Sequence, residues 1–238
     1  MRLDVYLVER GYFSTRQKAK EAIRRGFVRV NGVVVKKPSK DVRGNEVIEV
    51  ECEERPRGYW KLKEIDEEFG LFSVYRDCRG ELEEKKIEPN KKPKTESIKL
   101  NADALDIGSS AGGFLAYASE RCKTVIGVEY SMEFLEQLKK VKDRAKNVEV
   151  ILGDAFSIEL RKQFDIILID VTTDAINSVV LARKFYENLK EGGKMLIVLK
   201  GASEEEAKNL VEKAGLKVRR TVKLGEKREV YVLVDKIT

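Results

Sequence analysis

The sequence predicts an α/β protein: a parallel sheet ending on an antiparallel strand, preceded by a small α+β unit of two helices and a hairpin. Three observations predict it. From about residue 101 onward, apolar runs of four to seven residues alternate with amphipathic stretches, the rhythm of strands joined by crossover helices. The first 50 residues instead show helical spacing followed by an Asn-Gly turn signal. Residues 51–100 are less regular, which divides the chain into a domain at 1–54, a linker and insertion at 55–100, and a domain at 101–238.

In the small domain Leu3, Tyr6 and Leu7 share one helical face, and Gly11 follows it. Ser14 opens a second helix, with Gln17 at capping-box distance, Ala19, Ala22 and Ile23 as the buried stripe and Gly26 as the stop. Phe27–Val30 turns at Asn31-Gly32 into Val33–Val35, and a further strand is expected over Glu46–Val50. Strands of the large domain are expected at Ala104–Ile107, Thr124–Val128, Val148–Leu152, Phe164–Asp170 and Lys194–Lys200. After a helix over Glu204–Ala214, the runs Leu216–Val222 and Glu229–Val234 supply the antiparallel ending. Glu81–Lys99, rich in Lys and Glu with Pro89 and Pro93, reads as an exposed loop or insertion.

Composition removes several chemistries. The chain has no histidine, which excludes an imidazole base, a Ser-His-Asp triad and histidine metal ligands. Cys52, Cys78 and Cys122 are too far apart for a Cys-x-x-Cys site and odd in number, which points to a reducing, cytoplasmic setting. The start Met1-Arg2-Leu3-Asp4 lacks a signal-peptide core, and apolar runs such as Ile166–Ile169 fall far short of the roughly 18 residues of a membrane span. Neither a membrane nor a metal is expected as a partner.

Charge is concentrated at the front. Residues 2–43 hold twelve Lys and Arg against four Asp and Glu, whereas the whole chain has a net charge of only +6. Arg16, Lys20 and Arg24 recur every four residues, so a helix sets them on one cationic ridge, expected on the side away from Ala19 and Ile23. The string Arg2-Leu3-Asp4-x-Tyr6-Leu7, Thr15-Arg16, the Ala19–Ile23 stripe, Gly26-x-Val28-x-Val30-Asn31-Gly32 and Pro38 resembles the S4 RNA-binding domain. That resemblance implies recognition of structured RNA by shape and backbone, with Arg2, Arg16, Lys20, Arg24 and Arg57 as the expected RNA contacts.

At the end of the first parallel strand stands Asp106-Ile107-Gly108-Ser109-Ser110-Ala111-Gly112-Gly113-Phe114. Such glycines let the chain turn sharply and approach a ligand. Glu129 ends the next strand, where a carboxylate accepts from a ribose diol. This layout suits either a dinucleotide or S-adenosylmethionine. Asp106 favours the latter, because an anion beside the glycine turn would repel a pyrophosphate but suits an amino-acid ammonium. Gly153-Asp154-Ala155 offers an acceptor to an adenine amino group and backbone to the ring edge. With Glu191-Gly192-Gly193 before the fifth strand, the set resembles a Rossmann-like class I S-adenosylmethionine-dependent methyltransferase. The resemblance implies Asp106, Gly108, Ser109, Ser110, Gly112, Gly113, Phe114, Glu129, Asp154 and Ala155 as the cofactor cradle.

Four further residues carry a resemblance to the FtsJ and TlyA methyltransferases: Lys61 in Arg57-Gly58-Tyr59-Trp60-Lys61-Leu62, Asp170, Lys200, and Glu229 in Lys227-Arg228-Glu229-Val230-Tyr231. In that group a Lys-Asp-Lys-Glu tetrad transfers a methyl group to an RNA ribose 2′-hydroxyl. The chemistry needs a base, since a protonated hydroxyl is a poor nucleophile, and a neutral lysine serves when a second cation and burial press its proton off. Lys200 is the expected base. The pairing with an S4 domain is characteristic of the TlyA family, sometimes called haemolysins, whose members methylate ribosomal RNA; the implied partner is ribosomal RNA or a ribosomal subunit. The chain departs from the family at Pro56, at Ala111, after Asp170 and after Lys200, where loops shape the substrate site. An alternative reading is a ribosome-associated RNA-binding factor with weak or lost transfer activity.

Overall fold

The computed structural model describes residues 1–51, 55–72, 75–76, 82–83, 100–224 and 229–236. The chain divides into two compact units, Met1–Arg57 and Gly58–Thr238.

The small unit contains α1 (Leu3–Glu9), α2 (Arg16–Arg24), β1 (Val28–Val30), β2 (Val33–Val34) and β3 (Ile48–Val50), the strands forming an antiparallel sheet in the order β2-β1-β3. Leu3, Leu7, Phe13, Ala19, Ala22, Ile23, Val28 and Val30 form its core, so the helical stripes read from sequence bury as expected. The Asn31-Gly32 turn has both central residues in the left-handed region, at φ 50° and 77°. That geometry matches the twist of the paired strands and explains the Asn-Gly choice. Two expectations need correction. The N-cap of α2 is Thr15, whose hydroxyl accepts from Lys18 N, while Ser14 Oγ accepts from Lys18 Nζ instead of closing a box with Gln17. The strand expected from Glu46 begins at Ile48, because the Glu46 carboxylate closes the preceding turn by accepting from the Arg43 and Gly44 amides.

The large unit contains α3 (Arg57–Phe69), β4 (Tyr75–Arg76), β5 (Leu82–Glu83), β6 (Leu100–Ile107), α4 (Gly113–Ser119), β7 (Cys122–Glu129), α5 (Leu135–Arg144), β8 (Val148–Leu152), β9 (Phe164–Ile169), α6 (Ala175–Phe185), β10 (Leu189–Lys200), α7 (Glu204–Lys213), β11 (Val218–Val222) and β12 (Glu229–Asp235). Its seven-stranded sheet has the order β11-β12-β10-β9-β6-β7-β8. β6 through β10 are mutually parallel, and β12 runs antiparallel between β10 and β11. The central strands are apolar on both faces because both are covered: Ile166 and Leu168 pack toward α3, α4 and α5, while Ile167 and Ile169 pack toward α6 and α7.

The segment expected as a linker behaves differently. From Gly58 onward, α3 is part of the large unit, because Tyr59, Leu62 and Ile65 recur at helical spacing and are buried in the same core as Phe114 and Tyr117. Of the loop expected over 81–99, only Leu82–Glu83 is described, paired antiparallel with Tyr75–Arg76; the rest lies outside the described residues, as do Cys52, Cys78, Lys227 and Arg228. Among the described residues, no helix is long and apolar enough to cross a membrane.

Chain order along the sheet reverses between β6 and β9. In open α/β sheets that switch point opens a crevice outside the carboxyl ends of the strands, where ligands bind.

Candidate active site

The crevice is built by one close backbone approach. Gly108, directly after β6, has φ 85°, and a Cβ there would lie 2.7 Å from Asp170 O and 2.9 Å from Val171 Cγ1. Only glycine lets the end of β6 press against the end of β9. Gly108 N and Ser109 N both donate to Val128 O, and Gly112, also left-handed, caps α4.

Beneath this turn lies Asp106, fully buried, with neither carboxylate oxygen hydrogen-bonded. Burial, reinforced by the charges of Asp170 and Glu129, pushes its carboxyl up to about 8. A buried acid without a partner is costly for folding, which makes Asp106 a candidate ligand contact. Ser109 Oγ donates to the Asp106 carbonyl. Glu129, nearly buried, braces two loops: Oε2 accepts from Ser110 N and Oε1 from Ser131 N, each at 2.7 Å. Asp154 is exposed and turned into its own loop, Oδ1 accepting from Phe156 N and Oδ2 from Ser157 Oγ, while the Ala155 carbonyl accepts from Lys184 Nζ.

The structure brings the four tetrad residues together from four elements. Lys61 Nζ lies 2.7 Å from Asp170 Oδ2 and 3.1 Å from Glu229 Oε2. Lys200 Nζ lies 3.5 Å from the other Asp170 oxygen and donates to Val171 O at 2.8 Å. The register does part of this work, because β10 and β12 pair Lys200 directly with Glu229. The lysines differ in setting. Lys61 is 12% exposed and held by two carboxylates, whereas Lys200 is 32% exposed and touches one. Lys61 also lies 5.8 Å from the Phe114 ring centre and 5.6 Å from that of Tyr231, so its charge rests on two π faces.

Lys61 reaches this point through Gly58. A Cβ on Gly113 would lie 2.5 Å from Gly58 Cα and 2.6 Å from Tyr59 N, so α3 and α4 touch backbone to backbone where both begin. Sequence reasoning placed Gly113 in the cradle but did not assign this contact. It also left out Tyr231, whose hydroxyl donates to Glu229 Oε2 at 2.9 Å. The signal was present: Glu229 and Tyr231 are two apart on a strand and share a face. Burial and the Glu229 carboxylate push the Tyr231 phenol up, so it remains a donor. Tyr59, Asp66 and Tyr117 secure α3 further: Tyr59 Oη donates to Glu120, Tyr117 Oη to Asp66, and Phe72 N to Asp66.

In the small unit, Arg2 and Arg16 hydrogen-bond to Asp4, and Lys20 lies 3.9 Å from the same carboxylate. The ridge expected away from the buried stripe is thus bent toward α1, and exposed Arg24 stands outside the group. Arg57, at the start of α3, is exposed.

Residues 1–48 match the S4 domain and residues 105–197 match the methyltransferase domain. No curated protein matches the chain in sequence. Among solved structures, a putative hemolysin from Streptococcus thermophilus is similar over 100% of this chain and 88% of its own, at 18% identity and a TM-score of 0.52. Aeropyrum pernix fibrillarin, solved with natively bound S-adenosyl-L-methionine, is similar over 58% of this chain and 68% of its own, at 21% identity and a TM-score of 0.50. Methanococcus jannaschii fibrillarin, a pre-rRNA processing protein, is similar over 61% and 71%, at 23% identity and a TM-score of 0.51. At these identities the likeness establishes the fold. The chain therefore combines an S4 domain with a methyltransferase domain on a Rossmann-like sheet.

Proposed function

We propose that this protein transfers a methyl group from S-adenosylmethionine to a ribose 2′-hydroxyl of structured RNA, with ribosomal RNA as the leading substrate. The observation that carries the reading is the Lys61 ammonium bridging Asp170 and Glu229, with Lys200 on the far oxygen of the same Asp170, beside the Gly108 turn. The S4 domain, the resemblance to the TlyA family, and the bound S-adenosyl-L-methionine and pre-rRNA role of the two fibrillarins support the cofactor and substrate class.

The residues present fit that cofactor. Asp106, buried and without a hydrogen-bond partner, accepts an amino-acid ammonium, and the Gly108 turn brings the end of β6 against the end of β9 directly above it. Glu129, already fixed by two backbone amides, keeps free lone pairs for a ribose diol. Asp154 meets an adenine amino group only if it releases a bond in its own turn. When bound, the cofactor supplies a methyl group on a sulfonium, an electrophile that needs no metal.

This chain's own residues supply the rest. Lys200, which meets one carboxylate where Lys61 meets two, is the base in this reading, accepting the hydroxyl proton as the ribose oxygen attacks. Lys61 remains an ammonium held by two carboxylates, and its positive charge favours the developing alkoxide. Asp170 stands between the two lysines, Oδ2 bonded to Lys61 and Oδ1 3.5 Å from Lys200, while the Val171 carbonyl holds the Lys200 amine. The buried rings of Phe114 and Tyr231 flank the Lys61 ammonium and keep water from that side of it.

The test combines purified protein, radiolabelled S-adenosylmethionine and ribosomal RNA, with nucleoside analysis of the product. Label is expected on ribose 2′-oxygens, with Lys200→Ala abolishing transfer while cofactor binding persists. Label on a base, or undiminished transfer by Lys200→Ala, would overturn the assignment.

A further inference from the structure

The small unit hides an anion where a cationic surface is needed. Asp4 has no exposed surface, and its backbone amide donates to Pro38 O while Leu3 N donates to Lys40 O, fixing the start of α1. Its carboxylate accepts a fork from Arg2, Nε at 2.9 Å and an outer nitrogen at 3.2 Å, and a further bond from Arg16 at 3.2 Å. Lys20 Nζ stands 3.9 Å away. Arg16 and Lys20 are one turn apart on α2, so side chains from both helices and the N-terminal residues meet at one acid. These cations are not sealed in: their side chains are 46%, 53% and 36% exposed for Arg2, Arg16 and Lys20.

We propose that Asp4 gathers Arg2, Arg16 and Lys20 into a single clamp for one RNA backbone phosphate, making Asp4 a positioning residue of the RNA grip. The proposal rests on the RNA-binding reading above and names the device that serves it. A buried carboxylate must stay paired, so each cation is tethered on its inner side while its outer N–H groups face solvent. Three positive charges and one negative leave a surplus of two, sufficient for one phosphodiester. Without the anion, three like charges on long flexible side chains repel and spread, and binding must then gather them at an entropic cost. Burial opposes ionisation of Asp4, but the Arg2 hydrogen bonds, with help from Arg16, hold its carboxyl below the usual range.

The consequence runs against simple charge counting. Asp4→Asn adds one positive charge to an RNA-binding face, which by attraction alone tightens binding; loss of the clamp weakens it. Kd for a fluorescent hairpin cut from ribosomal RNA is measured with the full chain between roughly 50 and 300 mM KCl, with thermal melts alongside. For folded Asp4→Asn, we expect about tenfold weaker binding and a log Kd against log salt slope shallower by about 0.7–0.9, the loss of one phosphate. A purely architectural role for Asp4 leaves that slope unchanged. Arg2→Gln, Arg16→Gln and the double variant form a second arm that does not depend on folding of Asp4→Asn. Each single variant, and the pair together, are expected to remove the same one phosphate. Equal or tighter binding by Asp4→Asn, or a double variant that loses two phosphates, would overturn the clamp. Failure of the unaltered protein to bind the hairpin would instead overturn the RNA-binding reading.

Discussion

Tyr231 and Lys61 converge on the same oxygen: Tyr231 Oη donates to Glu229 Oε2 at 2.9 Å, and Lys61 Nζ lies 3.1 Å from that atom. The Tyr231 ring lies 5.6 Å from the same ammonium. Glu229 is therefore aimed at Lys61 by Tyr231, two residues along the strand, and the proposed acid-base group gains a fifth member.

Tyr231→Phe keeps the ring and removes the hydroxyl. A hydrogen bond to a charged group contributes about 1.5–3 kcal/mol, part of which goes into aiming Glu229. The expected outcome is a three- to tenfold fall in kcat with KM for S-adenosylmethionine unchanged, read by single-turnover transfer. Unaltered kcat would remove Tyr231 from the group.

The α3–α4 contact separates two glycines that look alike in sequence. A methyl group at position 113 meets backbone at 2.5 Å, while one at 58 meets its nearest atom at 3.3 Å. Gly113→Ala is expected to cost about 1–3 kcal/mol and to lower transfer sharply, because α3 carries Lys61. Gly58→Ala should be clearly milder in both respects, as measured by denaturant unfolding and transfer rate.

Asp106 links pH to both binding and stability. Its carboxyl, raised to about 8 in the fold from an ordinary value near 3.8, is neutral in the folded protein and ionised in the unfolded chain between those values. Its contribution to stability is full below about pH 3.8 and is lost as pH rises toward 8. Asp106→Asn should remove this slope and raise the melting temperature at pH 7–8, while abolishing binding of S-adenosylmethionine. Binding of an ammonium favours the ionised acid, so affinity of the unaltered protein should rise as pH climbs toward 8, by at most about tenfold per unit. Calorimetric titration from pH 6 to 8 checks the sign, and a flat profile would count against Asp106 as the ammonium acceptor.

Much of this molecule is written in local pattern. Period and turn chemistry determined the order of helices and strands, since apolar runs bury only in the element whose spacing matches them. Asn31-Gly32 defined its hairpin, and Asp106 through Gly113 defined the glycine turn. Errors arose where neighbouring polar groups competed: Thr15 rather than Ser14 caps α2, and Glu46 caps a turn instead of extending a strand. The segment after residue 55 looked like a linker because its charges hide a stripe of Tyr59, Leu62 and Ile65 that needs a partner surface to be recognised.

What only the tertiary structure decided is which charges meet. Lys61 and Asp170 are 109 residues apart, and the direct pairing of Lys200 with Glu229 is a matter of strand register, which no local preference specifies. The same holds for Asp4: its acidity is visible in the sequence, but its burial beneath three cations follows from how α1 and α2 pack. Sequence determines the elements because backbone preferences are short-ranged; the charge clusters around Asp170 and Asp4 form only when packing brings distant side chains within a few ångströms, where electrostatic forces outweigh solvent screening.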